Sequence, residues 1–308
     1  MERIINQRRA YLLALLAVLF WSTMSSAFKI TLRYIAFDQL LLFASFFGVI
    51  SLAIINRTRK ERAKFLQLTK KEILSSALMG LLNPFLYYLI LFKAYELLEA
   101  QIAGTLNYAW PVVLVLLSIP FLKQKISRAS LLAILISFFG LVIISTRGDL
   151  LIFTFANPLG VSLAIGSAFI WALYWILNFK DQREDTAKIL LNLSFGFLYI
   201  LIYTLIKYRK IEIPGWEALL GSVYIGLFEM SITFVIWLSA LKFSSDTAKV
   251  SNLIYLSPFL ALFIIRITVG EAILPSTVIG LFIIISGIIL QQSISRLKRK
   301  FKKFSGKA

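Results

Sequence analysis

Glu229 stands in surroundings that are unusual for a carboxylate. It lies near the middle of an apolar run long enough to cross a membrane, 216–239, within the segment GLFEMSITF (226–234). A charged group at the bilayer centre costs about 2.5–3.5 kcal/mol, so such residues usually face a protein-lined cavity. There a carboxylate can bind a proton and release it when its hydration changes. We interpret Glu229 as a candidate for coupling proton movement to that of a solute, with a structural hydrogen bond as the alternative.

Aromatic, amide and proline residues interrupt other apolar runs, as in TLNYAWPVV (105–113). Proline leaves a backbone carbonyl without its helical partner, and a buried amide needs partners of its own. Within lipid, such groups are tolerated only against protein or a water-filled cavity. We therefore expect a cavity here, with helix packing as the alternative. The candidate solute-binding residues are Trp21, Tyr88, Asn107, Tyr108, Trp110, Trp171, Tyr174 and Tyr255, and the candidate hinges are Pro111 and Pro258.

Two residue types are missing, and their absence excludes much enzyme chemistry. The 308 residues contain no cysteine and no histidine. Disulfides and thiolate metal sites are therefore excluded, and so are the commonest general base and metal ligand. We expect no catalytic residues, no metal and no cofactor. A membrane-embedded enzyme is the less favoured alternative, because its chemistry usually requires a cluster of such groups.

The elements that carry these residues are predicted to be membrane-spanning helices. Hydrophobic residues make up 59% of the chain, against about 45–50% in soluble domains. Since a span needs about 20 apolar residues, we predict an all-α integral membrane protein with ten spans. They cover 10–30, 37–55, 73–93, 100–120, 129–146, 158–178, 188–207, 216–239, 246–266 and 274–292.

The formal charge of +18 is concentrated between the apolar runs, as in 56–71 and 296–307. Such a distribution is typical of loops beside membrane spans and argues against nucleic-acid binding. With the N-terminus inside, most Lys and Arg residues fall on the cytoplasmic side, although the loop 207–217 runs against this rule. We therefore predict a multi-pass protein of the inner or plasma membrane, in contact with the lipid bilayer, with both termini cytoplasmic.

The second half of the chain echoes the first. Trp21 corresponds to Trp171, Tyr108 to Tyr255 and Pro111 to Pro258, in the same order and at nearly constant spacing. Five spans in each half would insert the second copy upside down relative to the first, as in many secondary transporters. We predict two inverted five-helix repeats around a central cavity. They cover 10–146 and 158–292, followed by a basic cytoplasmic tail, 293–308.

The chain resembles the drug/metabolite transporter superfamily, in its ten-helix EamA-type branch. The resemblance covers nearly the whole chain, through its five-plus-five arrangement, Trp21, Trp171 and the segment VGEAILPSTVIGLFIIISGIIL (269–290). The motifs FWSTM, NYAWP and AFIWALY look especially like the bacterial aromatic amino-acid exporter of that superfamily. The Gly-Glu typical of the loop after the second proline helix is present as Gly270-Glu271, whereas the first half has Lys123-Gln124.

This resemblance implies a secondary active transporter, an exporter of amino acids or similar small metabolites by alternating access. Proton coupling through Glu229 is an expectation that comes from the residue itself. The alternative is an uncoupled facilitator or channel, although the sequence shows no ring of charge or filter-like loop. The substrate, the direction of net transport, the coupling ion and its stoichiometry stay open. So does the oligomeric state, for which a monomer is slightly favoured.

Overall fold

The protein was analysed as a computed structural model, which describes residues 5–57, 68–122, 128–149, 157–181, 183–245, 250 and 252–305. In these ranges all regular structure is helical, with no strand. When helices separated by a short break are counted together, seven helical segments of the described chain are long and apolar enough to cross a membrane, and three shorter apolar helices accompany them. The prediction of an all-α membrane protein is thus confirmed. The count of ten spans and the inverted repeat stay predictions.

Most predicted spans correspond to one helix or to two helices separated by a short break. The helices are α1 (Gln7–Thr31), α2 (Phe37–Arg57), α3 (Lys70–Gly80), α4 (Tyr87–Leu97), α5 (Ala100–Asn107), α6 (Trp110–Leu122), α7 (Arg128–Ser145), α8 (Pro158–Lys180), α9 (Asp185–Tyr208), α10 (Trp216–Phe228), α11 (Ile232–Phe243), α12 (Ser257–Thr268) and α13 (Pro275–Ser305).

Helix starts follow local capping signals in the sequence. The side chains of Asn6 and Asn157 accept hydrogen bonds from the backbone at the starts of α1 and α8. Thr69 and Glu72 form a reciprocal capping box at the start of α3. Such caps satisfy backbone N–H groups that have no partner within the helix. At the other end of the chain, α13 continues to Ser305, through most of the segment predicted as a basic tail.

Four breaks divide helices that would otherwise run through the molecule. The predicted breaks near Pro111 and Pro258 are present: α5 ends before Tyr108, and a 3-10 segment, Asn252–Leu256, precedes α12. The other two were not predicted. Between α3 and α4, Asn83 has an extended backbone (φ −144°, ψ 117°) before Pro84. Between α10 and α11, the chain leaves the helix at Glu229 and Ser231.

Contacts between helices of the two halves occur in corresponding pairs. By chain order, α1, α2, α3, α4, α6 and α7 of the first half correspond to α8, α9, α10, α11, α12 and α13 of the second. Helix α2 packs on α10 and α9 on α3, α1 packs on α11 and α8 on α4, and α1 packs on α12 and α8 on α6. Helices α7 and α13 pack on each other. Exchanging the two halves therefore leaves this set of neighbours unchanged.

Glycines allow two of these corresponding crossings to be very close. A Cβ at Gly226 of α10 would lie 2.4 Å from the carbonyl oxygen of Ala44 on α2. A Cβ at Gly80 of α3 would lie 2.5 Å from that of Asn192 on α9. Small residues let helix backbones approach in this way, which increases van der Waals contact in lipid. Gly80 and Gly226 each lie three residues before an unpredicted break, at Asn83 and at Glu229.

Candidate functional site

A cavity of about 660 Å³, the first cavity, lies between the helices of the two halves. Side chains from α1, α4, α5, α6, α7, α8, α11, α12 and α13 line it. Its volume falls within the range of small-molecule sites, about 300–1,000 Å³. Most of the predicted candidates lie on its wall, namely Trp21, Asn107, Tyr108, Trp110, Pro111, Trp171, Glu229, Tyr255 and Pro258.

One side of the first cavity is built from stacked aromatic rings. Trp171 of α8 lies against Tyr87 of α4, with ring centroids 4.6 Å apart and an interplanar angle of 27°. Trp21 of α1 meets Phe234 and Trp237 of α11 edge-on, at 5.7 and 5.5 Å. These are favourable separations for aromatic pairs. The rings therefore form an apolar wall that suits a planar or bulky apolar group.

Asn107 connects two helices across this wall. Its Nδ2 donates to Ser167 Oγ at 2.8 Å, and its Oδ1 accepts from the Tyr87 hydroxyl at 3.2 Å. Nearby, the Tyr108 hydroxyl donates to the Ile254 carbonyl at 2.6 Å. That bond joins the break after α5 to the 3-10 segment before α12. The Asn107 amide, which is unusual in an apolar run, thus has hydrogen-bond partners on α8 and on α4.

The two predicted hinge prolines occupy equivalent places. Pro111 lies in the first turn of α6 and Pro258 in the first turn of α12, each directly after a break. Proline suits a first turn because its missing N–H would have no helical partner there. Both residues line the first cavity. The breaks are therefore located where predicted, while bending at these prolines stays a prediction.

Glu229 lies at the break between α10 and α11 and is 9% exposed. Its Oε1 accepts a hydrogen bond from the Tyr88 hydroxyl at 2.9 Å. Its Oε2 is buried and has no partner among the described residues. The carbonyls freed by the break are bonded by Ser231 Oγ, at 2.8 Å from the Leu227 oxygen, and by the Thr233 hydroxyl. Among described residues, Glu229 is the only Asp, Glu, Lys or Arg lining the first cavity.

The other two candidates, Tyr88 and Tyr174, line a neighbouring second cavity of about 420 Å³. The sequence analysis did not predict this second cavity, because its wall combines residues that are far apart in the chain. Trp175 and Phe234 line both cavities and separate them. The polar wall of the second cavity comprises Asn83, Asn178, Asp181, Arg183, Asp185, Lys188 and Asn192.

The charges of the second cavity are paired with each other. Arg183 contacts Asp181 at 2.5 Å, and Lys188 contacts Asp185 at 3.0 Å. Burial alone would raise the pKa of Asp181, but hydrogen bonds from Arg183 and its charge hold that pKa below its usual value. Asp181 therefore stays ionised at neutral pH and does not respond to pH changes near 7.

At one end of the first cavity, Glu271 joins the two halves. Its carboxylate accepts from the backbone N–H of Ala100 at 2.8 Å and of Gln101 at 3.2 Å, at the start of α5. The Gln101 side chain bonds back to the backbone of Ala272 and Leu274. A carboxylate is well suited to a helix N-terminus, where N–H groups lack partners. The first-half counterpart, Lys123-Gln124, lies outside the described residues.

A lysine from α1 caps the C-terminal end of α4. Lys29 Nζ of α1 donates to the carbonyls of Tyr95 and Leu98. Lysine at a helix C-terminus interacts favourably with the helix dipole. Within the described ranges, no group of acidic side chains is arranged to hold a metal ion. The described residues therefore provide two cavities, four helix breaks and one buried carboxylate oxygen without a partner, that of Glu229.

Comparisons with known proteins show the family to which the chain belongs. The model of the EamA-like transporter family matches residues 8–146 and 158–291. An uncharacterized transporter of Clostridium kluyveri is 25% identical over 304 residues, which cover 96% of this chain and 97% of that protein. The uncharacterized transporter YvbV of Bacillus subtilis is 24% identical, covering 97% and 96%. The protein RarD of Salmonella typhi is 28% identical over 192 residues, or 60% of each chain.

Solved structures share the fold, and one of them serves as an example. This example superimposes with a TM-score of 0.64 at 20% sequence identity, covering 94% of this chain and 99% of its own. The names of these relatives specify no substrate. The likeness to an aromatic amino-acid exporter therefore rests on the short sequence motifs.

Proposed function

The chain belongs to the EamA-like transporter family and is a membrane transporter, and from this premise we propose that it moves small amine-bearing solutes through the first cavity. One observation carries the proposal. An aromatic wall and a lone carboxylate, Glu229, face the same space between the two halves. Aromatic faces and a carboxylate both attract an ammonium group. An apolar side chain of the solute would contact the rings of Trp171 and Tyr87.

Amino acids are the solute class that this cavity suits best. No described Lys or Arg lines it, so a solute carboxylate would need other partners. The first turns of α6 and α12 line the cavity, and helix N-termini bind anionic groups in transporters with broken helices. Amines that lack the carboxylate are a second candidate class, favoured by the same lone Glu229.

Alternating access is the proposed mechanism of transport. Helix contacts between the halves come in pairs that are preserved when the halves exchange roles, and the breaks lie in corresponding places, after α3 and α10 and before α6 and α12. Two arrangements of similar energy are then available, one open to each side. We propose ten spans in two inverted repeats, with both termini cytoplasmic and net export of the solute.

Counterflow in proteoliposomes tests the solute class. Vesicles loaded with unlabelled tryptophan should take up labelled tryptophan transiently, because a carrier exchanges solutes and a channel does not. Tyrosine, tyramine and tryptamine should compete, whereas indolepropionate, which lacks the amine, should not. Competition by the deaminated acid equal to that by tryptophan would overturn the amine requirement. No counterflow for any amine or amino acid in a broad panel would overturn the proposal itself.

Glu229→Gln tests proton coupling. A pH difference of one unit can drive up to about tenfold accumulation for a one-to-one exchange, since tenfold corresponds to about 1.4 kcal/mol. The variant cannot titrate, so accumulation should fall to the level without a gradient, while exchange at saturating solute persists at lower affinity. Glu212→Gln, at a largely exposed site, is the matched control. Gradient-driven accumulation at the wild-type level in Glu229→Gln would reduce Glu229 to a structural hydrogen bond.

A further inference from the structure

The second cavity carries buried polar atoms that the protein does not satisfy. Asn83 Oδ1 and Asn192 Oδ1 accept no hydrogen bond from any described residue, and the Trp175 Nε1–H group has no acceptor there. Asn192 is only 2% exposed. Buried polar groups are almost always hydrogen-bonded, through ordered water where protein partners are missing. The volume of about 420 Å³ far exceeds the ~10–15 Å³ that one water requires.

One hydrogen bond connects this polar space to the solute site. Tyr88 lines the second cavity, Glu229 lines the first, and the Tyr88 hydroxyl donates to Glu229 Oε1 at 2.9 Å. Elsewhere the wall between the cavities contains the rings of Trp175 and Phe234. The Tyr88–Glu229 bond is therefore a polar contact through an otherwise largely aromatic partition.

We propose that the second cavity is a hydrated path along which protons reach Glu229, with the Tyr88 hydroxyl as the final relay. This proposal rests on the coupling role proposed above for Glu229. A protonated water in the second cavity gives a proton to Tyr88 Oη as the hydroxyl gives its own proton to Glu229 Oε1. One O–H bond forms and one breaks at Tyr88, so the tyrosine is unchanged. Release of the proton follows the same steps in reverse.

The charged groups around the path leave Glu229 as the acceptor. Asp181 and Asp185 are paired with Arg183 and Lys188 at the wall of the second cavity. From α4, the titratable groups that interact with Glu229 are Tyr87, Tyr88 and Tyr95. Trp21 on α1, Trp171 on α8 and Phe234 on α11 add aromatic side chains to this wall of the first cavity. The described carboxylate that retains an unpaired buried oxygen is Glu229.

Cysteine labelling tests whether the second cavity is hydrated. The natural chain contains no cysteine, so a single introduced thiol reports its own surroundings. A charged, membrane-impermeant methanethiosulfonate reacts with the thiolate, which forms readily in water and poorly in lipid. Asn192→Cys should react at least tenfold faster than Leu198→Cys, at a position on the same helix that is 45% exposed and that we expect to face lipid. The reagent should react when it is applied from the side of the membrane on which Arg183 lies. If Asn192→Cys does not fold, Ile189→Cys serves at the same cavity.

Paired tyrosine variants test the relay. Tyr88→Phe removes the hydroxyl that bonds Glu229, whereas Tyr87→Phe removes the neighbouring hydroxyl that bonds Asn107. With a pH difference of one unit, the ratio of accumulation with and without the gradient should fall to about one in Tyr88→Phe. In Tyr87→Phe solute affinity should fall while that ratio stays at the wild-type value. A dye for internal pH should show solute-driven proton movement in Tyr87→Phe and lose it in Tyr88→Phe.

The outcomes separate this proposal from the function it rests on. If the wild-type protein shows counterflow but accumulates no more solute with a pH gradient than without one, the coupling role of Glu229 is overturned, and the proton path with it. A coupled wild type whose Tyr88→Phe variant stays coupled overturns the relay alone. Folded Asn192→Cys and Ile189→Cys proteins that both label no faster than Leu198→Cys overturn the hydrated path.

Discussion

Replacing Glu271 by glutamine should weaken the contact that joins the two halves at one end of the first cavity. The carboxylate accepts two backbone hydrogen bonds at the start of α5, from Ala100 and Gln101. Glutamine keeps one acceptor oxygen, but its amide group turns a donor towards the second N–H. The variant therefore loses one hydrogen bond to a charged group and the favourable charge at the helix N-terminus.

The expected size of this effect follows from those contacts. A hydrogen bond to a charged group contributes about 1.5–3 kcal/mol, and we take the lower end because Glu271 is only partly buried. A loss of about 1.5 kcal/mol changes the population ratio of two states roughly tenfold. If the two halves separate at this end during transport, the open state should gain that factor.

Labelling at Thr105 measures this shift. Thr105 lies on α5, lines the first cavity and is 3% exposed. Thr105→Cys in the Glu271→Gln background should react about tenfold faster with an impermeant thiol reagent applied from the side of Glu271. Glu212→Gln is the control, since its exposed partner Lys210 forms a surface pair of the kind that contributes about 0–1 kcal/mol. Equal labelling rates in folded Glu271→Gln and Glu212→Gln proteins would show that this contact does not hold the end closed.

Three further substitutions test other parts of the structure. Asp38→Asn removes a fully buried carboxylate bonded by Lys207 and Tyr208, and it should lower the free energy of unfolding by about 1–3 kcal/mol, measured as a lower midpoint of thermal denaturation. Gly226→Leu introduces a side chain where even a Cβ would lie 2.4 Å from a backbone oxygen, so the folded yield should drop sharply. The control Ile206→Leu, at a position that is 76% exposed, should leave the folded yield unchanged. Trp171→Ala removes the ring stacked on Tyr87 and should weaken tryptophan binding by about 0.5–1.5 kcal/mol more than alanine binding in the same competition assay.

The breaks at the two proline segments were predictable, because NYAWP (107–111) and its counterpart IYLSP (254–258) place proline and polar residues within apolar runs. The break at Asn83 was also visible in principle, since Asn-Pro is a turn signal, but the long apolar run around it favoured one continuous helix. Nothing comparable marks the break at Glu229. There the residues are compatible with a helix, and the hydroxyls of Ser231 and Thr233 compensate the carbonyls only once the chain has folded.

The first cavity could be predicted better than the second for a related reason. Trp21, Asn107, Trp110 and Trp171 are unusual within apolar helices, so each is conspicuous alone. The second cavity joins Asn83 and Asn178, which lie near a break or a helix end where polar residues are ordinary, to Asn192, a single amide two turns into α9. Their significance comes from being brought together around Tyr174. The second cavity is created by tertiary packing, and no local sequence pattern indicates it.

The length of α13 has a practical consequence. A helix of 31 residues measures about 46 Å at 1.5 Å per residue, whereas the hydrocarbon layer is about 30 Å thick. In the proposed topology of ten spans α13 crosses the bilayer, and because the helix continues to Ser305 without a break, its last turns would extend beyond the bilayer. A fluorescent protein fused directly after Ser305 through a helical joint would therefore tilt with α13. Polarised emission from oriented membranes would then report changes in the tilt of α13, without any label inside the protein.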